Sequence, residues 1–369
     1  MGIALVYHPK LADYSFGETH PLTSERFKIF FDFFKSNLAS LIEDLEIILP
    51  QAVEDKTLEL VHTQDYIQNI RLASEGIILN NIYRYVSTDN LNPATGYIPE
   101  GIEEASRIIV GSTILAGKLV VEKKFKKAIS IGGGMHHAKP NYGEGFCFYN
   151  DVAILVKYLK KEYNLKRILV IDTDAHAGNG TSEIFYADKE VLFIDIHQDP
   201  LTLYPGCGFI NEIGKDKAKG FNINLIVTPG TANKAYEYLF EEVIFPLAEE
   251  FKPEFIIRYG GSDPHYQDPL TNLGLTLSGF KIIGQKVKEL SDNLTQGRCV
   301  DLILSGYNLK ILPFAWSNLI SGLLGLKKDF ADYFKEENPP PLDKGLSETK
   351  EMVKTLKRYL SPYWKCMSK

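Results

Sequence analysis

The sequence predicts an α/β fold, in which a single domain holds a central, mostly parallel β-sheet flanked by helices on both faces. Short apolar segments rich in β-branched residues recur along the chain, and most are separated by helix-length stretches with apolar residues spaced near 3.6. Of the 369 residues, 44% are hydrophobic, which is ample for a large core. Alternation of this kind is typical of a parallel sheet covered on both faces.

The predicted elements follow one another in chain order. The strands are GIALVYH (2–8), AISI (128–131), RILVID (167–172), VLFIDI (191–196), FNINLI (221–226), EFIIRYG (254–260) and CVDLILS (299–305). The helices are 101–124, 150–163, 233–250 and 277–292. The segment 75–100 is rich in Asn, Gly, Pro and Tyr and has no clear period, so it predicts a long loop.

The C-terminal region differs in composition from the rest of the chain. EENPPPLD (336–343) is a Pro-rich patch, and a helix is predicted near 346–360. We therefore expect one main domain over 1–335, with the Pro-rich connection and C-terminal helix of 336–369 packed on it.

Composition and charge exclude several functional classes. The formal net charge is −6 and charged residues are scattered, unlike the basic surface of a nucleic-acid binder. No apolar run reaches membrane-spanning length and the chain opens on a strand pattern, so we expect a cytoplasmic protein without membrane contact. The four cysteines are widely spaced, which predicts neither a disulfide framework nor a thiolate zinc site. The oligomeric state stays open, with a homodimer as one option.

Polar residues follow four of the predicted strands. Ligands of an open parallel sheet bind outside the carboxyl ends of its strands. The residues found there are His136 and His137, Asp174 and His176, Asp263 and Asp268, and Tyr307. Four strand ends would therefore supply imidazoles, carboxylates and a phenol to one crevice.

The stretch VIDTDAHAGNG suggests a metal site. Asp172, Asp174 and His176 stand two residues apart, so in extended backbone they project on one side. An imidazole with carboxylates from two strands suits a divalent cation, and three protein ligands with one open position are typical of catalytic zinc. Iron, cobalt and manganese stay possible. The alternative is a hydrogen-bonded strand end without a metal.

Two neighbouring imidazoles can divide catalytic work when different partners orient them. Asp172 and Asn179 are the available partners of His136 and His137. Since one partner is anionic and the other neutral, they would push the two histidine pKa values apart. The hydroxyl of Tyr307 would donate to a developing oxyanion, the alternative being one more packed aromatic residue.

Taken in order, GGGMHHAKP…GFCFYND, IDTDAHAGNGT, GSDPHYQDP and SGYNL resemble the motifs of the histone deacetylase superfamily. This superfamily includes bacterial and archaeal acetoin-utilisation-type deacetylases and acetylpolyamine amidohydrolases. The resemblance runs from HPKLADYSFGETHPLTSERF near the start to FAWSNL near residue 319. It implies an arginase/deacetylase-like fold with the active site at the carboxyl ends of the strands.

The resemblance also implies roles for individual residues. The catalytic residues would be His136 paired with Asp172, the general base His137 oriented by Asn179, and Tyr307. The zinc ligands would be Asp174, His176 and Asp268. The substrate-binding residues would be Gly145, Phe146, Tyr204, Leu275 and Arg26. A monovalent cation, potassium, would be held by Asp172, Asp174, His176, Asp195 and Ile196.

The function implied is that of a zinc-dependent amidohydrolase. It would remove acetyl or other acyl groups from an amine, such as acetyl-lysine in proteins or an acetylpolyamine, with His137 as base for a metal-activated water. Asp89 in the 75–100 loop would grip the substrate, or is simply a solvated side chain. The alternatives are an arginase-like binuclear manganese ureohydrolase and a catalytically weak protein that only binds acyl-lysine.

Overall fold

The computed structural model of the protein describes residues 2–368 and has one eight-stranded sheet at its centre. The strands are β1 (Ile3–Val6), β2 (Leu45–Ile48), β3 (Lys127–Ile131), β4 (Ile168–Asp172), β5 (Val191–Gln198), β6 (Asn222–Val227), β7 (Phe255–Gly260) and β8 (Cys299–Ile303). Their order across the sheet is β2-β1-β3-β8-β7-β4-β5-β6, and every pairing is parallel. The predicted fold class is thus confirmed.

Eleven α-helical segments connect and cover these strands within residues 2–368. They are α1 (Glu25–Asn37), α2 (Asp55–Leu58), α3 (Gln64–Ser74), α4 (Ile102–Val121), α5 (Asp151–Tyr163), α6 (Asn179–Phe185), α7 (Asn233–Leu239), α8 (Phe245–Phe251), α9 (Leu277–Leu294), α10 (Leu312–Leu324) and α11 (Leu346–Leu360). A π-helical turn over Phe240–Ile244 joins α7 to α8, where the sequence predicts one uninterrupted helix. Pro246 has no N–H for the usual i→i−4 bond, which accounts for the wider turn before it.

The central strands are buried on both faces. Every residue of β3, β4, β5, β7 and β8 is buried. In β4, Ile168 and Val170 pack in one apolar cluster, whereas Leu169 and Ile171 pack in another. This alternation follows from the two-residue period of a strand, and it explains why these strands read as continuous apolar runs.

One edge strand was not predicted from the sequence, whereas the irregular 75–100 segment was. Strand β2 has no counterpart among the predicted strands, because it is a four-residue edge strand whose Glu46 and Ile47 are exposed. The 75–100 segment is irregular as expected, with two short 3₁₀ turns over Ile82–Arg84 and Thr88–Asn90.

The C-terminal region packs against the sheet domain. The side chain of His265 lies 2.8 Å from Glu336 in the Pro-rich connection. Helix α11 buries Val353, Leu356 and Leu360, and beyond it the indole N–H of Trp364 donates to the Gly220 carbonyl at 2.6 Å. The division at residue 335 stays a prediction. Within residues 2–368, no helix is both long and apolar enough to cross a membrane.

The topology places the strand-end residues together. Strands β3, β8, β7 and β4 are consecutive neighbours in the middle of the sheet. Since all of them run in the same direction, the loops that follow them meet above one edge of the sheet.

Candidate active site

The glycine-rich loop after β3 is fixed by a buried carboxylate. Asp151, in the first turn of α5, accepts the backbone N–H groups of Gly134 at 3.1 Å and Met135 at 2.7 Å. The hydroxyl of Thr113 donates to the same carboxylate at 2.6 Å. This network fixes the backbone that carries His136 and His137 into the crevice.

A buried cluster of one imidazole and two carboxylates lies beside the two histidines. His176 Nδ1 lies 3.0 Å from Asp174 Oδ1 and 3.1 Å from Asp263 Oδ2. One ligand atom from each of the three residues falls within 4.8 Å of the others. Among the described residues 2–368, it is the one group of three His, Cys, Asp or Glu side chains close enough to share a metal ion.

Asp268, which the motifs imply as the third ligand, lies outside this group of three, and its role as a ligand stays a prediction. Both oxygens of Asp268 accept backbone N–H groups, Oδ1 from Leu270 at 3.0 Å and Oδ2 from Tyr307 at 2.7 Å. Asp263 follows β7 almost directly, whereas Asp268 lies five residues farther along a turning loop. Both oxygens of Asp263 also accept hydrogen bonds, Oδ2 from the Ala175 N–H at 3.0 Å and Oδ1 from the Ser305 hydroxyl. Asp263 lies in the cluster, and Asp268 holds the backbone of Tyr307.

The two neighbouring histidines have the two different partners that the sequence predicts. His136 Nδ1 lies 2.8 Å from Asp172 Oδ2, and His137 Nδ1 lies 2.7 Å from Asn179 Oδ1. Burial alone would lower the pKa of His136, but the charges of Asp172 and Asp174 outweigh it and raise the pKa to about 9. Burial and the charge of His136 hold the pKa of His137 well below its ordinary value. The first imidazole is thus charged and the second neutral near pH 7.

A cavity of about 280 Å³ leads to this cluster. It is lined by Asp89, His137, Gly145, Phe146, His176, Leu203, Tyr204, Leu270 and Tyr307. The rings of Tyr204 and His137 are 5.2 Å apart, and those of Phe146 and Tyr307 are 6.1 Å apart. We call this cavity the channel.

The channel wall at Gly145 and Phe146 has an unusual backbone. Their φ values are +57° and +65°, and a Cβ at position 145 would lie 2.2 Å from the His137 ring. Asp89 accepts the Gly145 N–H at 2.9 Å, and Asn90 accepts the Phe146 N–H at 2.8 Å. The other oxygen of Asp89 accepts the Ser87 hydroxyl. Asp89 and Asn90 of the 75–100 loop therefore hold this wall, a role that the sequence expectation for Asp89 did not include.

The predicted rim residue Leu275 lies away from the channel in this structure. Leu275 is fully buried, and its backbone pairs with the loop at Pro264 and Tyr266. It does not line the channel, whereas the half-buried Leu270 does. The backbone pairing turns Leu275 inward, and no periodicity in an irregular loop reveals such a turn.

Tyr307 and Arg26 lie against each other. The Arg26 Cζ is 5.1 Å from the centre of the Tyr307 ring, and the buried guanidinium donates to the carbonyls of Pro21, Thr23 and Leu304. Gly306 has φ +120°, and a Cβ there would overlap the Ser262 side chain at 1.8 Å. Glycine is therefore required for the turn that brings Tyr307 into the channel.

Two further carboxylates lie side by side behind the cluster. Asp172 of β4 and Asp195 of β5 are register partners, and both are buried. Burial and the charge of Asp195 raise the pKa of Asp172. Asp195 Oδ2 accepts the Gly178 N–H at 2.8 Å, whereas Oδ1 lies 2.9 Å from His197 Nδ1 without hydrogen-bond alignment. Sequence reasoning did not single out His197, although it follows Asp195 by two residues on the same strand.

Comparisons with known proteins identify the family of this chain. The sequence profile of the histone deacetylase domain matches residues 20–323. An acetoin utilization protein AcuC of Staphylococcus aureus is 36% identical over 323 residues, which cover 87% of this chain and 81% of the relative. A probable deacetylase of Archaeoglobus fulgidus is 33% identical over 382 residues, 99% of each chain.

The fold has a close counterpart among solved structures. The crystal structure of the HDA15 HD domain superposes with a TM-score of 0.83 at 22% identity, covering 100% of this chain and 97% of the other. That likeness concerns the fold, whereas the profile and the relatives above 30% identity concern the family. The chain therefore belongs to the histone deacetylase family and is a deacetylase hydrolase.

Proposed function

We propose that this protein is a zinc-dependent deacetylase that hydrolyses a linear acyl-amine to a carboxylate and a free amine. One observation carries the proposal. The neutral His137, the cluster residue His176 and the hydroxyl-bearing Tyr307 all line one channel, whose walls are mainly apolar. A general base, a metal ligand and an oxyanion donor thus face the same small volume.

The cluster fits a borderline divalent cation. We propose Asp174 and His176 as ligands, with Asp263 as the third from its place in the cluster or Asp268 as the motifs imply. One imidazole and two carboxylates leave an open position for substrate and water. When bound, the ion would lower the pKa of a water and polarise the acyl carbonyl. Zinc is the proposed ion, with iron, cobalt and manganese as substitutes. The paired Asp172 and Asp195 favour a monovalent cation, potassium, with backbone oxygens of Asp174, His176 and Ile196 as further proposed ligands.

The side chains around the channel would divide the remaining work. His137 Nε2 accepts the proton of the attacking water, because its Nδ1 is engaged by Asn179, and returns that proton to the leaving amine. The Tyr307 hydroxyl donates to the oxyanion that develops on the acyl oxygen. The charged His136 favours the same negative charge electrostatically. Arg26 keeps the Tyr307 ring in place.

The lining of the channel supports the proposed substrate class. Phe146 and Tyr204 offer flat apolar faces to a narrow linear chain, as in acetyl-lysine or an acetylpolyamine. Their rings also exclude water from the scissile bond. The net charge of −6 favours a substrate with cationic groups, such as the free amines of an acetylpolyamine or basic residues beside an acetyl-lysine.

A turnover panel tests the proposal. The zinc-loaded protein would be assayed on acetyl-lysine peptides, acetylputrescine, acetylspermidine and longer acyl-lysines, with His137→Ala as the inactive control. We expect hydrolysis of at least one member and about one catalytic metal per chain. Two manganese ions per chain with hydrolysis of a guanidino compound would instead support the arginase-like alternative. Bound zinc and acyl-lysine without any turnover would support the binding protein.

A further inference from the structure

A chain of polar side chains runs from the surface to the proposed base. Lys139 Nζ lies 2.9 Å from Glu144 Oε1, and Asn179 Nδ2 donates to the same oxygen at 2.7 Å. The amide oxygen of Asn179 lies 2.7 Å from His137 Nδ1. The side chains of Lys139 and Glu144 are 28% and 15% exposed, so this chain lies largely within the protein.

Each link of this chain has a fixed hydrogen-bond direction. A lysine ammonium can only donate, so Glu144 Oε1 acts as an acceptor, and an ionised carboxylate has no proton to give. The Asn179 NH₂ must therefore point to Glu144, which leaves the amide oxygen toward His137. An oxygen there can only accept, so His137 Nδ1 must carry its ring proton. Nε2 is then left with its lone pair.

The Asn179 amide needs a partner that fixes its orientation. An amide can present either its oxygen or its NH₂ to a neighbour, and the flipped orientation would donate to His137 Nδ1 and force the ring proton onto Nε2. A cavity of about 320 Å³ also borders Lys139 and Asn179. Water there can donate or accept, so it cannot choose the amide orientation.

We propose that Glu144, paired with Lys139, is a positioning residue that selects the base-competent tautomer of His137 by fixing the Asn179 amide. This role rests on the proposed function, in which His137 is the base. The hydrogen bond between Glu144 and Asn179 is charge-assisted, which makes it roughly twice as strong as a neutral one. Burial alone would lower the pKa of Lys139, but the hydrogen bond and charge of Glu144 outweigh burial and raise that pKa.

A double-mutant experiment tests the role through kinetics. Glu144→Ala frees the amide, so kcat should fall between about twofold, with both orientations equally populated, and about 10-fold, with the flipped one favoured. KM should stay within about twofold. In an Asn179→Asp background either carboxylate oxygen accepts from His137 Nδ1, so Glu144→Ala should cost nothing there. An equal loss of kcat in both backgrounds would mean a merely structural role and would overturn the proposal.

Two matched variants accompany this cycle. Glu144→Gln keeps an acceptor oxygen between Lys139 and Asn179, and it should retain most of the parent kcat. Glu183→Ala removes a carboxylate that lies 3.9 Å from Lys139 Nζ and has no hydrogen bond to Asn179, so it should leave kcat unchanged. Equal losses in Glu183→Ala and Glu144→Ala would attribute the effect to charge alone and contradict the amide mechanism.

A spectroscopic measurement separates this proposal from the proposed function. Two-bond ¹H–¹⁵N correlations of histidine-labelled protein report which ring nitrogen carries the proton, and the His137 signals are assigned by their loss in His137→Ala. We expect an Nδ1–H ring in the parent and a growing Nε2–H population in Glu144→Ala. Because no turnover is needed, this result holds even if the acyl-amine panel fails. An Nε2–H ring in the parent would refute the proposal directly.

Discussion

Separate replacement of Asp263 and Asp268 by asparagine distinguishes the two carboxylates of one loop. Both changes keep the shape of the side chain and remove one charge. Asp263 Oδ2 lies 3.1 Å from His176 Nδ1, whereas Asp268 contacts only backbone N–H groups near the cluster, those of Leu270 and Tyr307. We expect metal binding to depend on Asp263 and the placement of Tyr307 to depend on Asp268.

The effects expected for Asp263→Asn and Asp268→Asn on zinc affinity differ enough to be measured. Loss of an outer partner of a metal ligand costs about 10- to 100-fold in affinity, so loss of Asp263 itself should exceed about 100-fold. Asp268→Asn turns one acceptor oxygen into a donor against a backbone N–H, which costs about 1–3 kcal/mol for the group left unpaired. The displaced Tyr307 would lower kcat by up to about 10²–10³, the value of one oxyanion donor. Zinc affinity of Asp268→Asn should stay within about 10-fold of the parent.

Zinc affinity would be measured by competition with a chromophoric chelator, together with metal content per chain after dialysis. Thermal unfolding gives an independent reading, because zinc at about 100 times its Kd stabilises the folded state by about 2.7 kcal/mol. That stabilisation should vanish in Asp263→Asn and persist in Asp268→Asn. If Asp268→Asn loses its zinc and Asp263→Asn keeps it, the ligand set derived from the structure is wrong and the sequence-based set is right.

Three further predictions concern the channel and its support. His137→Ala should lower the rate by about 10²–10⁴-fold, and a pH–rate profile should show partial recovery at high pH, where hydroxide replaces the missing base. Tyr307→Phe should lower the rate by about 10²–10³-fold and show no such recovery. A hydroxamate with a linear apolar linker should inhibit, and its inhibition constant should rise in Phe146→Ala and Tyr204→Ala; unchanged inhibition would refute the channel assignment. Asn90→Ala unpairs the buried Phe146 N–H, so urea unfolding should show a loss of about 1–3 kcal/mol.

Much of the fold was predictable because the central strands are continuous apolar runs and the helices between them show apolar spacing near 3.6. The five central strands are buried on both faces, so each reads as an apolar run. Strand β2 was not predicted, because an edge strand of four residues is too short to show a clear hydrophobic pattern. The π turn at Phe240–Ile244 was not predicted, because one proline shifts the backbone hydrogen bonds without changing the apolar spacing.

The site was predictable where backbone geometry is regular. Asp172 ends β4, and the stretch that follows keeps Asp174 and His176 near the same edge of the sheet, so spacing alone grouped them correctly in space. The pairings of His136 and His137 also agree with the structure, since an anionic and a neutral partner were the only ones the motifs offered. Their opposed pKa shifts follow from that difference in charge.

In the loop after β7, sequence spacing no longer predicts the direction of a side chain. GSDPHYQDP offers two aspartates, and beyond the strand end no period relates residue number to direction. The backbone path places the two aspartates differently. Asp268 accepts the N–H groups of Leu270 and Tyr307, whereas Asp263 lies nearer the end of β7 and accepts the Ala175 N–H beside the cluster. The same irregularity sends Leu275 inward and leaves Leu270 at the channel. A carboxylate that caps backbone in a loop is thus indistinguishable by sequence from one that binds a metal, and the asparagine pair at 263 and 268 is the experiment that separates them.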